Sequence, residues 1–214
     1  WNYQIVWNRP RYPDNAGRYF GPQMTEFNGK ARMVEGYATD NYTRWACDYI
    51  RGENRDPDKP WYLWLCYGAI HGPTIPADRH KGANAGKEAV VPEDIFPPRK
   101  GKPGYLAKTQ AWIKGDDGEP VFRNGGKTHT QWLQQLNECM MSVDEGVGQV
   151  LKALKESGQL ENTLVIYSSD QGFANGEHGL KQKVAPYEAS YRSPFIASMP
   201  GTIPQGKYCR QPVN

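Results

Sequence analysis

Apolar positions along this 214-residue chain recur in two periods, and their order predicts alternating strands and helices. The run Trp61-Tyr62-Leu63-Trp64-Leu65-Cys66-Tyr67 is almost continuously apolar, the pattern of a central strand covered on both faces. Thr163-Leu164-Val165-Ile166-Tyr167-Ser168 predicts a second strand. Ser193-Pro194-Phe195-Ile196-Ala197-Ser198-Met199-Pro200-Gly201 predicts a third that ends in a turn. Between the first two, Trp132, Leu133, Leu136, Cys139, Met140, Val143, Val147, Val150, Leu151 and Leu154 fall at three- and four-residue spacing. That spacing gives a long helix with one apolar face, closed by Gly158. A shorter helix carries Tyr42, Trp45, Ala46, Tyr49 and Ile50, with Thr39 or Asp40 as its N-cap and its end near Arg51. Strands alternating with helices place the chain in the α/β class.

The remaining segments have no sustained period. Residues 1–36 are rich in Pro, Gly, Asn and Tyr and read as an irregular lead-in. Residues 72–130 read as a long excursion, with a small hairpin within 111–122. There are no repeats, no low-complexity tracts and no linker. Only 38% of residues are hydrophobic, but 7 Trp, 13 Tyr and 6 Phe supply enough apolar volume for a core. A net charge of +3 without a dense Lys/Arg run offers no nucleic-acid face. No apolar stretch approaches the roughly 20 residues of a membrane span. The chain opens on Trp1 rather than Met, so a leader could precede it. Cys47, Cys66, Cys139 and Cys209 show no metal-binding spacing and read as buried or unpaired thiols.

Candidate chemistry gathers after the second strand, in Ser168-Ser169-Asp170-Gln171-Gly172-Phe173-Ala174-Asn175-Gly176-Glu177-His178-Gly179-Leu180-Lys181-Gln182-Lys183. Ligands of open α/β sheets collect beyond the carboxyl ends of strands. Asp170 and Gln171 offer a carboxylate and an amide oxygen, both suited to a hard cation. Lys183 offers a point charge for an anion. His178 lies between glycines that permit close backbone approach. His71 follows the first strand in Gly68-Ala69-Ile70-His71-Gly72-Pro73. Each has an ordinary alternative: a turn residue, a solvated lysine, a histidine that only stabilises its loop. Glu188 and Arg192 form an i,i+4 pair that a surface helix explains, and His80 and His129 receive no role. Asn41-Tyr42-Thr43 matches a glycosylation sequon of a kind common by chance.

The run SSDQGFANGEHGLKQKVAPYEASYRSPFIASMPG closely resembles the late motif of the sulfatase family. Three further pieces agree in order: Gly36-Tyr37-Ala38-Thr39-Asp40, Lys59-Pro60-Trp61 leading to Ile70-His71-Gly72-Pro73, and Val143-Asp144-Glu145-Gly146-Val147-Gly148. The resemblance covers residues 36–71 and 136–201 well and 72–130 poorly. It implies an alkaline-phosphatase-like α/β sandwich with a mixed, mostly parallel central sheet flanked by helices. It also implies hydrolysis of sulfate esters, of sulfated carbohydrates or aryl sulfates. By motif position it makes Asp170 and Gln171 ligands of Ca2+, with Mg2+ as the other candidate. It makes His71 and Lys183 catalytic and sulfate-binding, and His178 a weaker contributor to the substrate pocket. Gln171 stands where the family commonly has Asn or His and is one methylene longer than Asn.

The resemblance also implies a formylglycine nucleophile, made from Cys or Ser in Cys/Ser-x-Pro/Ala-x-Arg. No such signature occurs: Asp-Tyr-Ile-Arg follows Cys47, and Tyr-Gly-Ala-Ile follows Cys66. Residues 1–214 therefore read as the middle-to-late part of a catalytic domain. The nucleophile segment and C-terminal subdomain are then absent, the rest of the domain is the chain's partner, and the 214 residues alone are inactive. The implied location is periplasmic, secreted or lysosomal. Two readings stay open beside this one: a phosphomonoester or phosphodiester hydrolase of the same superfamily, and a non-catalytic sugar-binding relative.

Overall fold

Asn28-Gly29 links two alternating segments, and both residues take left-handed backbone angles (φ 48° and 79°). That is the turn whose twist matches a two-residue hairpin. It joins β2 (Gln23–Phe27) to β3 (Lys30–Val34) in antiparallel register, and β1 (Ile5–Val6) adds to the outer edge of β2. Residues 1–36 thus hold a three-stranded sheet, where the sequence reading expected an irregular lead-in. The turn signal was present, but the β2 and β3 faces carry too many polar residues for apolar alternation to reveal them.

This computed structural model describes residues 1–14, 17–183 and 185–211, with the backbone alone at Gln182. The chain divides into two compact units, Trp1–Ala89 with Thr130–Ser157, and Val90–His129 with Gly158–Asn214. In the first unit, α1 (Ala38–Ile50) buries Thr39, Tyr42, Thr43, Ala46, Cys47 and Ile50. Its N-cap is Tyr37, ahead of the expected Thr39 or Asp40, and it ends as predicted at Arg51. The long helix α3 (His129–Glu156) buries Trp132, Leu136, Cys139, Val143 and Leu154 from the predicted stripe. Beyond it, Gly158 takes φ 69°, the left-handed residue that ends such helices.

Two of the family-like motif pieces are explained by packing within this unit. A Cβ on Gly146 would lie 2.5 Å from Thr43 Oγ1 and 2.6 Å from the Tyr67 hydroxyl, so only glycine lets α3 approach this closely. Arg79 then donates to both Asp40 carboxylate oxygens at 2.8 Å and to Glu145 at 2.6 Å, joining the two motifs. All three side chains are near 40% exposed, so the network orients these elements more than it stabilises them. Burial pushes the thiols of Cys47 and Cys139 up, in line with their reading as inert core residues.

The second unit holds α2 (Gly104–Ala107), the antiparallel hairpin β4 (Trp112–Lys114) with β5 (Pro120–Phe122), and β6 (Val165–Ser168). The β4–β5 hairpin lies where the sequence placed one. Next come β7 (Ala174–Asn175), β8 (Lys181–Gln182), α4 (Glu188–Tyr191) and β9 (Phe195–Ser198). β6 pairs antiparallel with β9, and β7 with β8.

The expected mixed, mostly parallel sheet is corrected here: every sheet among the described residues is small and antiparallel. Residues 61–67 form no strand ladder among the described residues. Tyr62 and Trp64 are 69% and 68% exposed, with Trp1 stacked at 5.8 and 6.1 Å from their rings. Apolar character reports burial in a complete sheet, whereas pairing direction depends on which strands are present to pair.

Replacing Gly29 with Ala puts a side chain at φ 79° without any steric neighbour, so only backbone strain is added. Urea unfolding should show a loss of about 1 kcal/mol for Gly29→Ala, with an unchanged m-value.

Candidate functional site

The strand β6 ends at Ser168, whose hydroxyl donates to Pro194 O at 3.0 Å and ties the strand end to the start of β9. Ser169 Oγ donates to Gln171 O at 2.9 Å and turns the chain outward. Gly172 then passes against the end of α4. A Cβ there would lie 2.5 Å from Ala189 O and 2.8 Å from Arg192 O. Asp170 and Gln171 are thereby presented to solvent on a backbone that cannot shift inward.

Lys183, one residue beyond β8, returns to this point. Its Nζ donates to Asp170 Oδ2 at 2.5 Å. The ammonium, with smaller help from Ser169 and the Gln171 backbone, holds the Asp170 carboxyl below the usual carboxylate range. The Asp170 carboxylate is therefore ionised at neutral pH. The aspartate is the more open member of the pair, while about a quarter of the lysine side chain still reaches solvent. An oxygen pair from Asp170 and Gln171 suits a hard cation in chemistry but supplies only two donors, where calcium takes six to eight. Among the described residues no three His, Cys, Asp or Glu side chains gather as a metal site. These residues fit a cation as part of a ligand set, with the other donors coming from elsewhere.

The Gly-Glu-His-Gly segment forms the turn between β7 and β8. Gly176 and Gly179 have positive φ, and so does His178 itself (φ 55°). Left-handed backbone costs a non-glycine residue roughly 1 kcal/mol or more, so something must hold it. Asp94 does: its Oδ1 accepts from the His178 backbone N–H at 2.8 Å and its Oδ2 from Nδ1 at 2.5 Å. Burial would raise the Asp94 carboxyl, but the His178 hydrogen bonds outweigh it and keep the group low. Arg99 anchors this arrangement from beneath. Its buried guanidinium donates to the carbonyls of Asp94 (2.7 Å), Ile95 (2.5 Å), Leu106 (2.8 Å) and Thr109 (2.8 Å). Gly179 lies on that guanidinium so closely that a Cβ would overlap it. His129 is fully buried and bonds Asn175 O through Nε2 at 2.5 Å, and Trp112 Nε1 donates to Leu180 O at 3.2 Å.

His71 belongs to the first unit. Its Nδ1 donates to Gly72 O at 2.9 Å, because a carbonyl can only accept, which leaves Nε2 as the ring atom for chemistry. Its loop is pinned to the core: the Tyr19 hydroxyl donates to His71 O at 2.5 Å and the Tyr37 hydroxyl to Ile75 O at 2.9 Å. Tyr19, Tyr37, Ala77 and Cys139 form a buried cluster with Ile70 and Ile75 packed on it.

Of the expected site residues, the structure joins Asp170 to Lys183, leaves Gln171 exposed beside them, and gives His178 an acidic partner. Asp94, Arg99 and the structural His129 were not foreseen. Asp94 and Arg99 lie in the aperiodic excursion, where Pro97-Pro98 is the only local signal and says nothing of their partners.

The arrangement defines a class first: a strand-end site pairing a carboxylate with a cation, on a chain built like sulfatase folds. A solved structure in complex with its substrate D-glucosamine-2-N,6-O-disulfate superposes with a TM-score of 0.73 at 24% identity, over 85% of this chain and 47% of that one. The pattern defining sulfatases matches residues 2–214, and the chain belongs to the sulfatase family. An N-acetylglucosamine-6-O-sulfatase of Bacteroides thetaiotaomicron is 28% identical over 89% of this chain and 43% of its own. An arylsulfatase of Clostridium perfringens is 28% identical over 75% of this chain and 31% of its own. The chain thus spans less than half the length of these relatives.

Two measurements check this geometry. Arg99→Met leaves four carbonyls without their shared donor, and should cost about 3 kcal/mol or more in unfolding free energy. The Asp170 carboxyl, followed by carbon-detected NMR titration, should ionise below the ordinary range and return to it in Lys183→Met. Since its folded value is depressed, the ion pair persists above the unfolded carboxylate pKa and is lost as pH falls through the folded one.

Proposed function

We propose that this chain carries the substrate-facing, later portion of a sulfuric ester hydrolase that releases sulfate from a sulfated carbohydrate or an aryl sulfate. The observation that carries the reading is the Asp170–Lys183 pair at the end of β6, in the motif order of the family. Lys183 supplies a fixed positive charge for sulfate oxygens, and for the leaving oxygen as its charge develops. His71, with Nδ1 committed to Gly72 O, holds or moves a proton at Nε2, next to the sulfate or the leaving group. Asp170 and Gln171 would hold calcium, or magnesium, together with donors from outside these residues; bound there, the ion would offset negative charge on the sulfate. His178 would contribute to the substrate pocket.

The nucleophile, a formylglycine, belongs to polypeptide outside these 214 residues, since no Cys or Ser here begins its signature. The partner of this chain is then the remainder of the same catalytic domain. A periplasmic, secreted or lysosomal setting suits such a substrate. Among the described residues no helix is long and apolar enough to cross a membrane.

The test is an assay of the full-length protein on 4-nitrophenyl sulfate and 4-nitrophenyl phosphate. Sulfate should be released in clear preference to phosphate, and Lys183→Ala should lower kcat by about 100-fold or more. The isolated 214 residues should turn over neither ester. Preferential phosphate release would overturn the assignment in favour of a phosphatase.

A further inference from the structure

His178 combines features that a merely structural turn residue does not need. Asp94 grips it at two points, backbone N–H and ring Nδ1. Tyr187 lies against the ring, with centroids 4.5 Å apart, and Lys102 sits 4.6 Å over that tyrosine. An ionised carboxylate only accepts, so Nδ1 must carry the proton that it shares with Asp94. Nε2 has no hydrogen bond among the described residues. The His178 side chain is a quarter exposed.

We propose that Asp94 is a positioning residue that fixes the Nδ1–H tautomer of His178, so that Nε2 presents a lone pair to a hydroxyl of a carbohydrate substrate. The inference rests on the sulfatase reading and deepens it, since it favours a sulfated sugar over an aryl sulfate. The chemistry is asymmetric. A sugar carries a hydroxyl that can donate to Nε2; an aryl sulfate carries none and leaves the lone pair to water. A site built to bond a hydroxyl discriminates against the analogue that lacks it.

Asp94→Asn is the informative substitution. The amide oxygen can still accept from the His178 backbone N–H. The amide nitrogen, however, donates to Nδ1 and forces the proton to Nε2, turning an acceptor into a donor. In the full-length protein, two-bond 1H–15N spectra of the histidine rings should show Nδ1–H in the native protein and Nε2–H in Asp94→Asn. The ratio of kcat/KM for N-acetylglucosamine 6-sulfate over 4-nitrophenyl sulfate should fall about tenfold or more in Asp94→Asn. His178→Asn, which tolerates left-handed backbone, should lower that ratio similarly, so a fold lost in one variant does not remove the test. An unchanged tautomer, or both substrates losing activity in the same proportion, would sink the proposal and leave Asp94 a structural residue. If the native protein hydrolyses neither ester, the sulfatase reading itself fails and takes the substrate preference with it. The ring spectra would then still report whether Asp94 sets the tautomer.

Discussion

A single buried cation organises the second unit. Arg99 satisfies four backbone carbonyls of a segment that has almost no regular structure of its own. An unpaired buried carbonyl costs on the order of 1–3 kcal/mol, so the guanidinium compensates a debt that a helix or sheet would otherwise cover. Arg99 also bonds the main-chain carbonyl of Asp94 and so holds the backbone that carries that carboxylate. Asp94 in turn holds His178 in a backbone conformation it would not adopt alone, and Gly179 closes over the guanidinium. The turn so formed sets where β8 begins, and hence where Lys183 meets Asp170. The chemistry at the end of β6 therefore depends on a residue far from it in sequence.

The first unit solves the same problem differently. Its loop around His71 is held by tyrosine hydroxyls that reach out of a buried aromatic cluster to main-chain carbonyls. Burial drives the hydroxyl protons of Tyr19 and Tyr37 still further from release, so they remain donors at any physiological pH. In both units an irregular loop is held by buried side-chain donors. That is the usual way to place chemistry on a loop without losing geometry.

Much of the architecture was legible from period alone. The stripe from Trp132 to Leu154 marked α3, Gly158 marked its end, and the runs 163–168 and 193–201 marked β6 and β9. Period failed where polarity masked it: β2 buries the polar Gln23, Thr25 and Glu26, and β3 is exposed along most of its length, so only Asn28-Gly29 betrayed them. It also failed over residues 61–67, where a composition suited to a covered strand forms no ladder among the described residues.

For the candidate site, motif order pointed to Asp170, Gln171, Lys183, His71 and His178, because family-like spacing is a one-dimensional signal. The tertiary structure alone decided which of these touch. It paired Lys183 with Asp170 and drew Asp94 across 84 positions to His178, and it buried Arg99 under Gly179. Such contacts follow from how loops close on a core, and loop closure leaves no period in a sequence. What the chain carries by itself is its inventory of charges and its helix and strand rhythm. Which charge answers which is settled only when desolvation forces each buried or half-buried polar group to find a partner.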